Sequence, residues 1–419
     1  MSVSRQTAYP FLLLAVLLFV AYAAAALPGA VKFLTPNDPL AITLPYNQVA
    51  ALANALLNLA LLSGLLGGGL YVAASDGAPL NQRLARYAFA AWALLAALAV
   101  AAGLLGLMNN GDFPPVLALA QAILVLVVLA LVVPAAARLP VIQVWAVGLG
   151  ISALCTLWIL LSGEFAPRLL AAGLRLNVGS ALAAVALGFW LMHRFSNVTP
   201  AWAETGIYSV AGLVTLAGAW VSLPPLYPLG VPDWARAAGN IGVVVIPILY
   251  LIFAAHSYRA LSDRNGTYTL AGHWFSLGVL LFLLGPGLLG AVNAAPGVAQ
   301  WTAGTRLTDL QNTLAAFAVL AMCLGVVNQA AAELRGHNKR VTGLTAFWLV
   351  SFGIVGGGLA LGGAGLVQTF MERASGIGYL DVQTLVTPLY AGWVVGLLAL
   401  GLGAGLYGLT LWLRPPEQN

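Results

Sequence analysis

The chain has 419 residues, 61% of them hydrophobic and only 7% charged. A soluble domain carries roughly 25% charged residues, so this composition excludes a globule whose surface faces water and points to lipid as the solvent. The net charge of +5 resides in short loops, where it reports topology and not nucleic-acid binding.

A membrane-spanning helix needs about 20 apolar residues. Read in chain order, the sequence offers twelve: 9–28, 45–74, 87–108, 115–133, 141–162, 169–192, 206–226, 237–256, 270–292, 307–332, 343–370 and 386–413. The first resembles a signal peptide in having one Arg and a following run of small residues. Its apolar run nearly spans a bilayer, however, and many spans follow, so we read it as an uncleaved first helix. Turn-forming strings punctuate the spans: TPNDP at 35–39, SDGAP at 75–79, NNGDFPP at 109–115, SDRNG at 262–266 and RGHNKR at 335–340. Arg175 falls inside the sixth span, and Arg306 and Asp309 open the tenth; charges there are expected to snorkel or to pair. No segment is polar enough for a soluble domain. The expected fold is all-α: a single polytopic membrane domain over 1–419.

Basic residues orient the bundle. With the N-terminus inside, Arg5, Arg83, Arg86, Arg138, Arg194, Arg259, Arg264, Arg335, Lys339, Arg340 and Arg414 lie inside. Lys32, Arg168, Arg175, Arg236, Arg306 and Arg373 lie outside. This asymmetry follows the positive-inside rule and puts both termini on the cytoplasmic side; the expected location is a prokaryotic inner membrane. Glycine-rich runs within spans, such as GLLGGG at 64–69 and GIVGGGLALGGAG at 353–365, let helices approach closely. None is a phosphate loop. Cys155 and Cys323 lie in apolar spans and read as small buried side chains. Glu164, Asp233, Glu372 and Asp381 fall in outer loops, solvated or facing partners. Trp202, Tyr227, Trp234 and Trp301 sit near span ends, as interfacial anchors do.

Several strings then acquire meaning together. WTAGTRLTDLQNTLAAFAVLAM at 301–322 is followed by AELRG at 332–336 and AFWLVSFGIVGGGLALGGAGLVQTFMER at 346–373. These resemble the catalytic large subunit of nitric oxide reductases, in the haem–copper oxidase superfamily. That family carries a Tyr or Trp, then H-G-T-x-[LV]-T-A-A-H-G-H-[LM]-A-F, a PRLRG-like loop, and a W-L helix ending in A-G-x-x-Q. LGVPDWARAAG at 229–239 and GLLGGGLYV at 64–72 are similar to two further segments of that subunit. The resemblance implies a bundle like haem–copper oxidase subunit I, with about twelve helices.

It also implies six histidines holding two haems and a copper or non-haem iron. Carried over position by position, they are missing. The haem ligand of the second span falls at or near Ala53. The adjacent histidine pair falls on Pro224 and Pro225, and the H-x-H pair on Gln311 and Thr313. The remaining metal histidine belongs within 167–176, where there is none, and the family's glutamates are absent there too. The chain has only four histidines: His193, His256, His273 and His337. All four are expected near the inner side. Pro and Ala offer no donor atom, and Gln and Thr are poor iron ligands.

The expected function is therefore that of a non-catalytic relative: no catalytic, cofactor-binding or metal-binding residues, and no cofactor. Its expected partners are the lipid bilayer and other respiratory-complex subunits, including a redox-active one. Two alternatives remain open at this point. One is a transporter or channel on the vacated scaffold, with Pro224-Pro225 as its candidate helix break. The other is an electron-transfer subunit holding a haem on inner histidines such as His256 and His273, or a quinone.

Overall fold

The computed structural model describes residues 3–34, 45–78, 80–108, 113–136, 138–195, 200–223, 226, 230, 232–262, 269–335 and 340–412. Its helices are α1 (Val3–Leu34), α2 (Tyr46–Ser75), α3 (Gln82–Leu104), α4 (Pro115–Ala136), α5 (Pro140–Leu161), α6 (Phe165–Phe195) and α7 (Pro200–Val221). After these come α8 (Asp233–Ser262), α9 (Leu270–Ala294), the short α10 (Pro296–Thr302), α11 (Arg306–Arg335), α12 (Arg340–Thr369) and α13 (Tyr379–Trp412). The protein is thus an all-α membrane bundle. Eleven of these helices are long and apolar enough to cross a bilayer, while the described apolar stretch of α7, Gly206–Val221, is shorter. Eleven of the twelve expected spans fall on these helices, and the described part of the remaining one, 206–226, falls on α7.

Local chemistry sets several ends. Asn81 accepts a hydrogen bond from the Leu84 amide at 3.2 Å and caps α3; Thr269 accepts one from the Gly272 amide at 3.2 Å and caps α9. Proline opens α4, α5 and α7, where its missing N–H costs nothing. Glycines at Gly77, Gly106, Gly304 and Gly376 take the left-handed backbone that the connecting turns require.

The bundle is organised around α11. Of its apolar window 89% is buried, against 33% for the peripheral α8, so α11 is enclosed by its neighbours and α8 keeps a lipid-facing stripe. α2 follows at 72%, then α6 and α9 at 61%. The first and last helices meet: α1 packs on both α2 and α13.

Small residues make the closest contacts. α12 and α13 pack along much of their length, and a Cβ on Gly396 would lie 2.5 Å from the Gly357 Cα and 2.9 Å from the Gly353 carbonyl oxygen. A Cβ on Gly69 would collide with the Trp145 ring, whose Nε1 donates to the Leu65 carbonyl at 2.8 Å and joins α5 to α2. Gly64 receives Cys323 in the same way, its Cβ position lying 2.7 Å from the Cys323 Cβ. Both cysteines are buried and free.

Two faces of the bundle carry its polar groups. On the face bearing Arg5, Glu333 at the end of α11 accepts from the Tyr71 hydroxyl at 2.7 Å and from Gln329 Nε2 at 2.9 Å. Arg5 lies 3.5 Å from the same carboxylate and donates to the Ser75 carbonyl at 3.0 Å. Arg194 sits 3.6 Å from Asp76 and stacks over Trp190 at 5.1 Å. These groups tie α1, α2, α6 and α11 together. On the opposite face, Arg306 pairs with Asp309 at 2.9 Å, as their spacing on one helix face allows. It also lies 5.9 Å from the Tyr390 ring.

Candidate functional site

Two adjoining cavities open in the half of the bundle nearer Arg306. The smaller, about 380 Å³, lies between α1, α2, α11, α12 and α13. The larger, about 730 Å³, lies between α2, α6, α7, the α10 turn and α11. Both are bordered by Asn54, Asn312 and Thr313. Asn54 and Asn312 are exposed residues on interior helices; the space they are exposed to is these cavities.

The walls of the larger cavity are built from four local features. On α2, Asn54 and Asn58 stand one helical turn apart and project the same way. On α6, the segment Arg175–Ser180 widens into a π-helical turn, and Arg175, Leu176, Asn177 and Ser180 from it all line the cavity. Such turns are frequent at functional sites. This one is held from behind by α7, where only a glycine, Gly218, lets the two backbones meet at the Asn177 carbonyl. On α9, Asn293 Nδ2 donates to Gln311 Oε1 of α11 at 2.8 Å. Finally, the turn between α10 and α11 is closed by Thr305 and Thr308, whose hydroxyls both donate to the Thr302 carbonyl, at 2.7 and 2.9 Å.

The structure brings together most positions that the family resemblance singles out. Ala53 and Thr313 line the smaller cavity; Gln311, Thr313 and part of 167–176 line the larger. Gln311 is hydrogen-bonded to Asn293, and the Thr313 hydroxyl donates to the Asp309 carbonyl at 2.7 Å. Pro224 and Pro225 lie outside the described residues, although Ser222 just before them borders the same space. His337 also lies outside them.

None of the other histidines reaches either cavity. His193 is exposed near the end of α6, and His256 is partly buried on α8. His273 is engaged near the start of α9, its Nδ1 lying 2.9 Å from the Thr269 carbonyl and its ring edge-on to Phe347 at 5.4 Å. Among the described residues there is no cluster of three His, Cys, Asp or Glu side chains able to hold a metal ion. A haem or a non-haem metal is poorly matched to this donor set: the described residues of the two cavity walls provide amides, hydroxyls, three guanidinium groups and the single carboxylate of Asp309, but no imidazole or thiolate.

What the cavity walls can do is hydrogen-bond. Six amide side chains border the larger one: Asn54, Asn58, Asn177, Asn293, Gln311 and Asn312. Of these only Gln311 is marked in the sequence, by the family resemblance; the other five are uncharged and carry no motif. The pair Asn54 and Asn58, four apart in an otherwise apolar helix, was the available signal.

Of the acids expected in outer loops, only Glu164 lies between helices; the other three stand in helical turns. Glu372 accepts from Gln368 Nε2 at 3.0 Å, and Asp233 and Asp381 sit in the first turns of α8 and α13, where negative charge suits the helix dipole.

No protein-family model matches the chain. The fold and cavities therefore define a class only: a polytopic α-helical membrane protein with polar cavities among its helices.

Proposed function

We propose that this chain is a non-catalytic, cofactor-free relative of the nitric oxide reductase large subunit that serves as a structural or anchoring subunit of a respiratory electron-transfer complex. The observation that carries the reading is convergence. Positions matched to the family's ligands, from Ala53 through 167–176 to Gln311 and Thr313, border two adjoining cavities, and none of them bears a histidine.

The physical logic is a separation of roles. Helix packing in lipid rests on small residues and apolar contact spread over the whole bundle, whereas redox chemistry rests on six ligands. The ligands can be lost while the packing persists. The chain would lie in a prokaryotic cytoplasmic membrane with its Arg5 face and both termini inside, beside a redox-active subunit.

Affinity purification from native membranes in mild detergent, with mass spectrometry of what co-elutes, tests this. The expected result is a redox-active membrane subunit in fixed ratio to the chain. Elution as a lone chain would overturn it. The cavity's polar lining supports a second reading, a solute carrier on the same scaffold; a lone chain that moves a solute in vesicles would favour it.

A further inference from the structure

We propose that the larger cavity is a binding site for an organic anion that also carries hydrogen-bond donors, a hydroxycarboxylate being the simplest member of the class. This goes beyond the reading above and does not depend on it.

Charge is the first argument. Arg175 and Arg373 both line the cavity, and among its described lining residues there is no Asp or Glu. Arg175 lies within the membrane-spanning α6. A cation at that depth is expensive and ordinarily marks a substrate or ion site. The field inside the cavity favours a negative group and opposes a cation.

Unmet hydrogen bonds are the second. Asn177 and Asn293 are both about 2% exposed, and the side-chain oxygen of each has no hydrogen-bond partner. The Asn293 nitrogen is committed to the Gln311 side-chain oxygen, and the Gln311 amide nitrogen makes no hydrogen bond among the described residues. Buried polar groups in native proteins are nearly always satisfied. Here two acceptors and a donor border the same space, beside the guanidinium groups. A carboxylate answers the donors, and hydroxyl groups answer Asn177 and Asn293. A hydrocarbon tail answers neither set.

Size is the third. About 730 Å³ falls in the range of roughly 300–1,000 Å³ typical of small-molecule sites. Leu57, Leu61 and Leu169 form an apolar wall for the carbon skeleton.

The test uses the purified full-length chain in detergent. Its thermal midpoint is read against increasing lactate, malate, gluconate and citrate, with sodium chloride at matched ionic strength as the reference. Mannitol and choline chloride serve as neutral and cationic controls. At least one hydroxycarboxylate is expected to raise the midpoint by about 2 °C or more at saturation, and mannitol and choline to leave it unmoved. Arg175→Gln and Arg373→Gln are each expected to shift the half-maximal concentration upward by roughly tenfold, the scale of one charge-assisted hydrogen bond. Arg373 is exposed in the helical turn that follows α12, so its variant keeps the test alive if Arg175→Gln does not fold. No shift with any of the four acids, or a shift undiminished in the Arg373 variant, would overturn the proposal. Neither result bears on whether the chain has redox partners.

Discussion

Replacing Gly396 by alanine tests how this bundle is held together. The added Cβ would sit 2.5 Å from the Gly357 Cα, 2.7 Å from the Gly357 nitrogen and 2.9 Å from the Gly353 carbonyl oxygen. Ordinary contact begins near 3.4 Å, so α13 must retreat from α12 by most of an ångström. The obstacles are backbone atoms, which no rotamer change can move aside. Inserting a methyl group into a packed interior costs about 1–3 kcal/mol, and a backbone-limited site belongs at the upper end, about 3 kcal/mol. Gly405, on the same helix, has open space around its Cβ position. Gly405→Ala should therefore be neutral or slightly stabilising through helix propensity. Reversible unfolding in mixed micelles, read by tryptophan fluorescence, distinguishes the two. Equal stability of the two variants would refute the claim that close glycine packing, and not a bound cofactor, holds α12 to α13.

Other outcomes follow from the polar contacts. Glu333→Ala removes the acceptor for both Tyr71 and Gln329 and the partner of Arg5; a loss of about 2–3 kcal/mol is expected. Glu333→Gln keeps an acceptor for Tyr71 and should lose about half as much by the same unfolding measurement. Asn293→Ala strands Gln311 and should cost about 1–2 kcal/mol, whereas replacing Asn293 and Gln311 together by leucine should be nearly neutral. Burial raises the Asp76 carboxyl above its ordinary value, with Arg194 opposing this only in part. Its protonated form is thus favoured by folding, and that contribution is lost as pH rises through the raised pKa. Asp76→Asn should accordingly gain on the unmodified chain as pH is raised from 4 to 7 in thermal scans; a constant difference would contradict this.

The span positions were legible because a run of about 20 apolar residues has few alternatives. The Arg306–Asp309 pair was legible too, since three residues on a helix bring side chains together. The π turn at Arg175–Ser180 was not. It is a shift in hydrogen-bond register fitted against Gly218 of α7, and nothing local encodes it. The Glu333 network was equally hidden, because its Tyr71 partner lies 262 residues away in sequence. The cavity stayed unread for a different reason. Its polar groups are mainly uncharged amides on separate helices, and their convergence exists only once α2, α6, α9 and α11 are packed.

Visible absorption of the purified chain, paired with iron and copper analysis, measures the central claim most directly. The account predicts a spectrum without a Soret band and no stoichiometric metal. A Soret band that follows the chain through purification, with iron in whole-number ratio to it, would contradict the claim that these cavities have lost the chemistry their positions suggest.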